Sequence, residues 1–177
     1  MSARHAELLE AAYRYALANG LADLSLRPLA TAIGSSPRVL LFLFGSKESL
    51  VKALLTRART DELALLGSDV TGDLPEAVAR IWAWLAAEEH RPLLRLWAEA
   101  YARSLTEPDG AWAGFARATV DDWLTVLAGC QTPAERDTAE GVARRTLALA
   151  VLRGALLDLL ATGDDARVTA AVRAAFR

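Results

Sequence analysis

Between residues 33 and 38 the chain reads Ile-Gly-Ser-Ser-Pro-Arg, a run that leaves the backbone few choices. Gly34 supplies the left-handed residue that closes a helix, Ser36 is a preferred N-cap, and Pro37 suits the first position of the next helix. One helix must stop and another start within about four residues, which is the geometry of a helix-turn-helix. The flanks agree. A first helix is expected over about 3–19, with Leu8, Leu9, Ala12, Tyr13, Ala16 and Leu17 at helical spacing and Gly20 closing it. Ser25 caps a second over 26–33, where Pro28 is tolerated in the first turn. A third covers 37–42, and Ser46 caps a fourth that runs to about residue 66.

Composition carries the helical reading through the rest of the chain. Ala (37) and Leu (31) are abundant in 177 residues, whereas Val and Ile together number 12. Ala and Leu lose little on entering a helix, while β-branched residues are strand material, so Rossmann, sandwich and barrel folds are excluded. Beyond a Gly/Ser/Asp-rich break at 67–73, five more helices are expected, at about 75–89, 92–105, 109–128, 133–161 and 164–176, with a bend or split at Gly141. The fold class is all-α. A helix-turn-helix head over 1–45 is expected to precede a connecting helix and a helical body over 46–177.

Several chemistries are not supported. Cys130 is the single cysteine, His5 and His90 lie far apart, and there is no CxxC, HExxH, phosphate-cradling glycine loop or plausible triad, so neither a metal, a cofactor nor an enzyme activity is expected. The charged N-terminus is not a secretion signal. The most apolar stretch, 147–152, is closed by Arg153, far short of the roughly 20 residues needed to cross a bilayer. A soluble, cytoplasmic protein without a membrane partner is expected. Charge is uneven: residues 1–60 hold eight Lys/Arg against four acids, although the whole chain carries −2. A basic first third on an acidic body suggests a head that binds a polyanion.

The run from Ser25 to Leu50, SLRPLATAIGSSPRVLLFLFGSKESL, resembles the DNA-binding head of the TetR family of bacterial transcriptional regulators. The matching pieces are Ser25-Leu26-Arg27, Leu29-Ala30, Gly34 and Phe44-Gly45-Ser46-Lys47-Glu48-Ser49-Leu50, with the Ala-Ala-aromatic patch of the first helix and its Asn-Gly ending. The resemblance covers about residues 5–55. It implies a homodimer that binds double-stranded operator DNA, acts as a repressor and is released by a small apolar effector; the alternative is a regulator controlled by a protein partner or by no ligand. One departure stands out. Family members commonly carry Tyr and His just before the FGSK run, whereas this chain has Leu40-Leu41-Phe42-Leu43-Phe44.

Candidate DNA contacts follow from where the residues fall. Ser35, Ser36 and Arg38 are the polar residues at the N-terminal end of the recognition helix, the end that meets base edges. Arg38 suits a guanine or a phosphate, and Lys47, beside the N–H groups of a helix start, suits a phosphate, as does Arg27. Each is otherwise a solvated surface residue. Leu40 and Phe44 are expected in the core. Leu41, Phe42 and Leu43 cannot all be buried on so short a helix, and Phe42 is the candidate for a thymine methyl, with packing against a neighbouring helix as the alternative.

In the body, Trp82, Trp97, Tyr101, Trp112, Phe115 and Trp123, with Glu99 as a polar group, are candidates for an effector pocket, the alternative being ordinary core. Leu149, Leu152, Leu156 and Leu159, joined by Val172 and Phe176 from the last helix, form a stripe expected to pair two copies; the alternative is burial inside the monomer. The resemblance favours pairing through the two C-terminal helices.

Overall fold

The computed structural model describes residues 3–67, 72–107 and 109–176, with Leu65, Leu66 and Gly67 described by backbone alone. Among the described residues it is all α, with ten α-helices, two short 3-10 turns and no strand. The first three helices are α1 (Ala3–Asn19), α2 (Leu26–Ala32) and α3 (Pro37–Phe44). They are followed by α4 (Lys47–Gly67), α5 (Leu74–Ala86), α6 (Arg91–Thr106) and α7 (Phe115–Gly129). The last three are α8 (Pro133–Arg136), α9 (Ala139–Thr162) and α10 (Asp165–Ala175). The turns lie at Glu88–His90 and Gly110–Trp112.

The chain forms two compact units, Met1–Asp61 with Pro92–Arg117, and Glu62–Arg91 with Ala118–Arg177. In the first, α1 to α3 close around Leu8, Ala12, Tyr13, Ala16, Leu21, Leu24, Leu29, Ala30, Leu40 and Phe44, all buried. Gly20, Gly34 and Gly45 have φ of 78°, 64° and 80°, the left-handed region in which glycine carries no steric penalty. They stand at the ends of α1, α2 and α3, so each stop signal in the sequence is used. The segment from α6 to α7 contributes buried Leu93, Leu94, Leu96, Trp97, Trp112 and Phe115 to the same unit. Its Glu99 receives the Leu21 N–H at both carboxylate oxygens, 3.2 and 3.1 Å, and so pins the α1–α2 link.

The second unit buries Leu74, Val78, Ile81, Trp82 and Leu85 of α5 with Leu149, Leu152, Leu156 and Leu159 of α9 and Val168 and Val172 of α10. Trp123 in α7 donates from Nε1 to the buried carboxylate of Glu62, 2.9 Å.

Boundaries in the body differ from expectation in three places, each for a local reason. The helix expected over 109–128 is broken, because Ala113 is extended (ψ 126°) and Gly114 is left-handed (φ 74°); Trp112 therefore sits on a 3-10 turn. The helix expected over 75–89 ends at Ala86, and its chain turns through Glu88–His90, where the His90 ring stacks on Trp84 at 4.3 Å. The helix expected over 133–161 does split, but at Asp137–Thr138 rather than at Gly141. There Thr132 and Glu135 form a reciprocal capping box, and Thr138 Oγ1 accepts from the Gly141 N–H to start α9. Guanidinium groups take carbonyls at two helix ends: Arg145 donates to Arg136 O at the break (2.5 Å), and Arg136 donates to Ala128 O at the end of α7 (3.0 Å). The third helix also extends to Phe44, one half-turn beyond expectation.

Candidate nucleic-acid interface

Helix α3 is held from beneath by Leu40 and Phe44, which are buried, and the Phe44 ring packs 4.5 Å from that of His5. Its start is fixed by Ser36, whose Oγ accepts from the Val39 N–H at 3.3 Å. With that face committed, the opposite one must look outward. It carries Arg38, Val39, Leu41 and Phe42, and Phe42 is 86% exposed. Arg38 and Phe42 are four residues apart and so share one side of the helix. The Arg38 guanidinium has no hydrogen-bond or ion-pair partner among the described residues.

Two further cations frame this helix. Lys47 is the first residue of α4, directly after Ser46, whose Oγ accepts from the Ser49 N–H at 3.0 Å. Its neighbour Glu48 is drawn to Lys52, 3.7 Å away, which leaves Lys47 without an acid partner among the described residues. Arg27, also unpaired there, lies near the start of α2. Arg27, Lys47, Ser25 and Pro37 line one open basin of about 650 Å³, in which Asp23 is the acidic member. A helix start with two free cations is a place for a phosphate, because the N–H groups and the charges act together.

Ser35 behaves differently from its expected role. Its Oγ is shielded from solvent without a partner, while its N–H donates to Ala30 O at 2.8 Å. It serves the turn, and its hydroxyl does not reach the outer surface. Ser36 is exposed, but its oxygen is occupied as the cap, which leaves the hydroxyl proton free to donate.

The connecting helix is tied firmly to this head. Tyr13 Oη donates to Asp61 at 3.0 Å, and Arg57 bridges Glu10 (2.5 Å) and Asp61 (3.2 Å) while lying 4.9 Å over the Tyr13 ring. Burial first, and the Asp61 carboxylate second, push the Tyr13 hydroxyl far above its usual range, so it remains a donor at any physiological pH. Lys47 is thereby positioned on a helix that α1 holds in place.

The aromatic residues of the expected effector pocket fall into both units. Trp97, Tyr101, Trp112 and Phe115 belong to the first, with Trp97 stacked on Tyr101 at 5.0 Å and Arg103 lying 5.4 Å over Trp112. Glu99 there is engaged by the Leu21 N–H, which makes it a structural acceptor. Trp82 and Trp123 belong to the second unit, where Trp82 Nε1 donates to Thr169 Oγ1 at 2.7 Å.

The expected pairing stripe needs correction. Leu149, Leu152, Leu156, Leu159 and Val172 are at most 5% exposed in the single chain, so a second copy has nothing of them left to cover. They are core because α5 and α10 pack on that side of α9, and Phe176 is only part-exposed. The other side of α9 is a second apolar face, outside the expected stripe. Ala143, Leu147, Ala150, Gly154, Leu157 and Ala161 are all exposed, and their spacing alternates four and three. That spacing is present in the sequence, but with only two leucines among small residues it is a weaker apolar signal than the buried side.

Residues 8–54 match the family model described as bacterial regulatory proteins, tetR family. No curated protein matches the chain. Among solved structures, a transcriptional regulator from Rhodococcus sp. Rha1 is 25% identical, with 96% of this chain and 91% of that one covered at a TM-score of 0.75. A TetR transcription regulator from Haloarcula marismortui is 18% identical over 99% and 95% of the two chains, TM-score 0.71. The multidrug binding protein EbrR, complexed with proflavin, is 25% identical over 96% and 97%, TM-score 0.65.

Proposed function

From the premise that this chain is a transcriptional regulator of the tetR family, carrying that family's head over residues 8–54, we propose that it is a homodimeric repressor that leaves its operator when a small apolar or aromatic molecule binds the body. The observation that carries the DNA half of this reading is the outer face of α3. It presents Arg38 and Phe42, with Arg27 and Lys47 in an open basin next to the start of the helix. Arg38 is assigned to a base edge, Phe42 to a thymine methyl, and Lys47 and Arg27 to phosphates. A small domain of this kind makes few contacts, so two copies are needed to span half-sites one helical turn apart or a multiple of it.

Support for pairing comes from α9, which is apolar on both sides. A helix of that kind is covered all round, and α5 and α10 cover one side only. We assign the other side, Ala143 to Ala161, to the second copy. The alternating spacing is that of a two-helix seam, and Ala150 and Gly154 permit close approach. Support for an effector is the likeness to EbrR, a protein solved with an aromatic ligand. The domain division at residue 45 and a cytoplasmic location belong to the same proposal. No helix among the described residues is long and apolar enough to cross a membrane.

The test is a mobility-shift assay with DNA from either side of the protein's own gene. Binding that falls steeply as salt rises supports the reading, because phosphate contacts release counterions. Failure to shift any of these fragments at low salt overturns it. An effector must weaken operator binding by the factor by which operator weakens the effector's own binding. A regulator whose affinity for DNA is unchanged across a broad set of apolar metabolites would favour control without a ligand.

A further inference from the structure

Within the second unit a groove of about 550 Å³ runs between α5 and α10, in the size range of small-molecule sites. Its accessible apolar surface comes from Pro75, Ala79, Ala83, Ala86 and Phe176, above a floor of the buried Val78, Trp82 and Val172. Its polar residues are not equivalent. Trp82 Nε1 donates to Thr169 Oγ1 (2.7 Å), and the Thr169 hydroxyl donates to Asp165 Oδ1 (2.9 Å), so these three groups satisfy one another and hold the indole still. Arg173 also lines the groove, is exposed, and has no partner among the described residues. It lies two helical turns beyond Asp165 on α10, about 12 Å along the axis. The groove is therefore apolar in its middle, negative towards one end and positive, with unused donors, towards the other.

We propose that this groove binds a small aryl or alkyl carboxylate, its apolar body against Ala79, Ala83 and the Phe176 ring and its carboxylate on the Arg173 guanidinium. A guanidinium fork meets a carboxylate in two parallel hydrogen bonds, which no neutral group matches. Asp165 fixes the orientation, since a reversed ligand would set like charges together. The apolar walls alone would accept any flat molecule, and Arg173 is what makes the site select anions. The proposal adds a place and a ligand class to the effector reading and rests on that reading only for its consequence at DNA. Binding itself is measured on the protein alone.

Calorimetric titration of the full chain, without DNA, with naphthylacetate, naphthylacetamide and naphthylethylamine separates charge from shape. One site per chain is expected, with the acetate tighter than the amide by roughly tenfold or more and the amine weakest. Arg173→Gln should bring the acetate down to the level of the amide without altering thermal stability, because the side chain supports nothing else. Ala83→Trp, which fills the groove from its exposed α5 wall, should abolish acetate binding. Equal affinity for the three compounds, no heat with any of them at millimolar concentration, or an acetate preference that survives Arg173→Gln overturns the proposal. A ligand-free mobility shift with the Arg173→Gln protein tells the two readings apart. A normal shift leaves the DNA reading standing whatever the groove does, and a protein that binds acetate but never DNA leaves the groove standing alone.

Discussion

Phe42 keeps an aromatic ring almost wholly in water, at a position where burial would stabilise the head by about 1.5–3 kcal/mol. Since nothing in the fold rests on the ring, Phe42→Ala should change the unfolding free energy by no more than ~0.5 kcal/mol, measured by denaturant titration. Operator binding should weaken all the same. Replacing thymine by deoxyuridine, which lacks the methyl group, should cost wild type what Phe42→Ala costs on ordinary DNA, and the two changes together should cost no more than either alone. Fully additive losses would put the ring elsewhere. The cations divide along a different line. Lys47→Ala should weaken all DNA alike and flatten the salt slope by about one, whereas Arg38→Ala should relax the preference at one base pair by about 1–3 kcal/mol. Equal loss on operator and random DNA with Arg38→Ala would make Arg38 a phosphate contact too. Ser35 shows where reading residues from sequence goes astray. Its type and position suit DNA, but the turn that frees Arg38 is the one that shields the Ser35 oxygen.

Among the elements, the head was legible because most of its boundaries have a chemical marker: Gly20, Gly34 and Gly45 close helices, and Ser36 and Ser46 open them. The body was less so. The break at Gly114 stands in a run of apolar residues whose periodicity continues on either side, and one left-handed glycine carries the whole signal. Gly141 drew the wrong inference for a similar reason. It is not a bend but a place of close approach, where an added Cβ would overlap the Glu135 carbonyl and crowd Thr138 Oγ1. Its carbonyl also accepts from Gln131 Nε2 at 2.8 Å. Two effects therefore oppose each other in Gly141→Ala. Helix propensity favours alanine by about 1 kcal/mol, while overpacking against backbone costs about 1–3 kcal/mol or more. The backbone of α8 is held by its capping box and by Arg145, so it cannot yield cheaply, and net destabilisation is expected in thermal melts. A more stable Gly141→Ala protein would mean that α8 is free to move aside. Gly154, with nothing within 4 Å of an added Cβ, is the control on the same helix, and Gly154→Ala should raise the stability of the single chain.

For the whole molecule, the two sides of α9 make opposite predictions. A stripe of leucines in a helix says only that something covers it, and the sequence does not say whether that is the chain itself or a second copy. Leu152 is fully buried within the chain, so Leu152→Glu places an unpaired carboxylate in the core and should unfold the second unit rather than yield monomers. Leu147 and Leu157 are 57% and 51% exposed in the single chain, and glutamates there meet water without penalty until a partner arrives. The double substitution Leu147→Glu, Leu157→Glu should therefore keep its helical signal and melting behaviour at low concentration while sedimenting near the 19.0 kDa chain mass. The unaltered protein, at micromolar concentration, should sediment near twice that value. Operator affinity should fall much further in this variant than Lys47→Ala makes it fall. A monomer carries one head and one set of phosphate contacts, whereas a dimer binds both half-sites as a single event, with the second head at high effective concentration. If the double variant remains dimeric, the seam lies on another face. If it is monomeric and still binds the full operator as tightly as the unaltered protein, one head suffices and the two-copy reading fails.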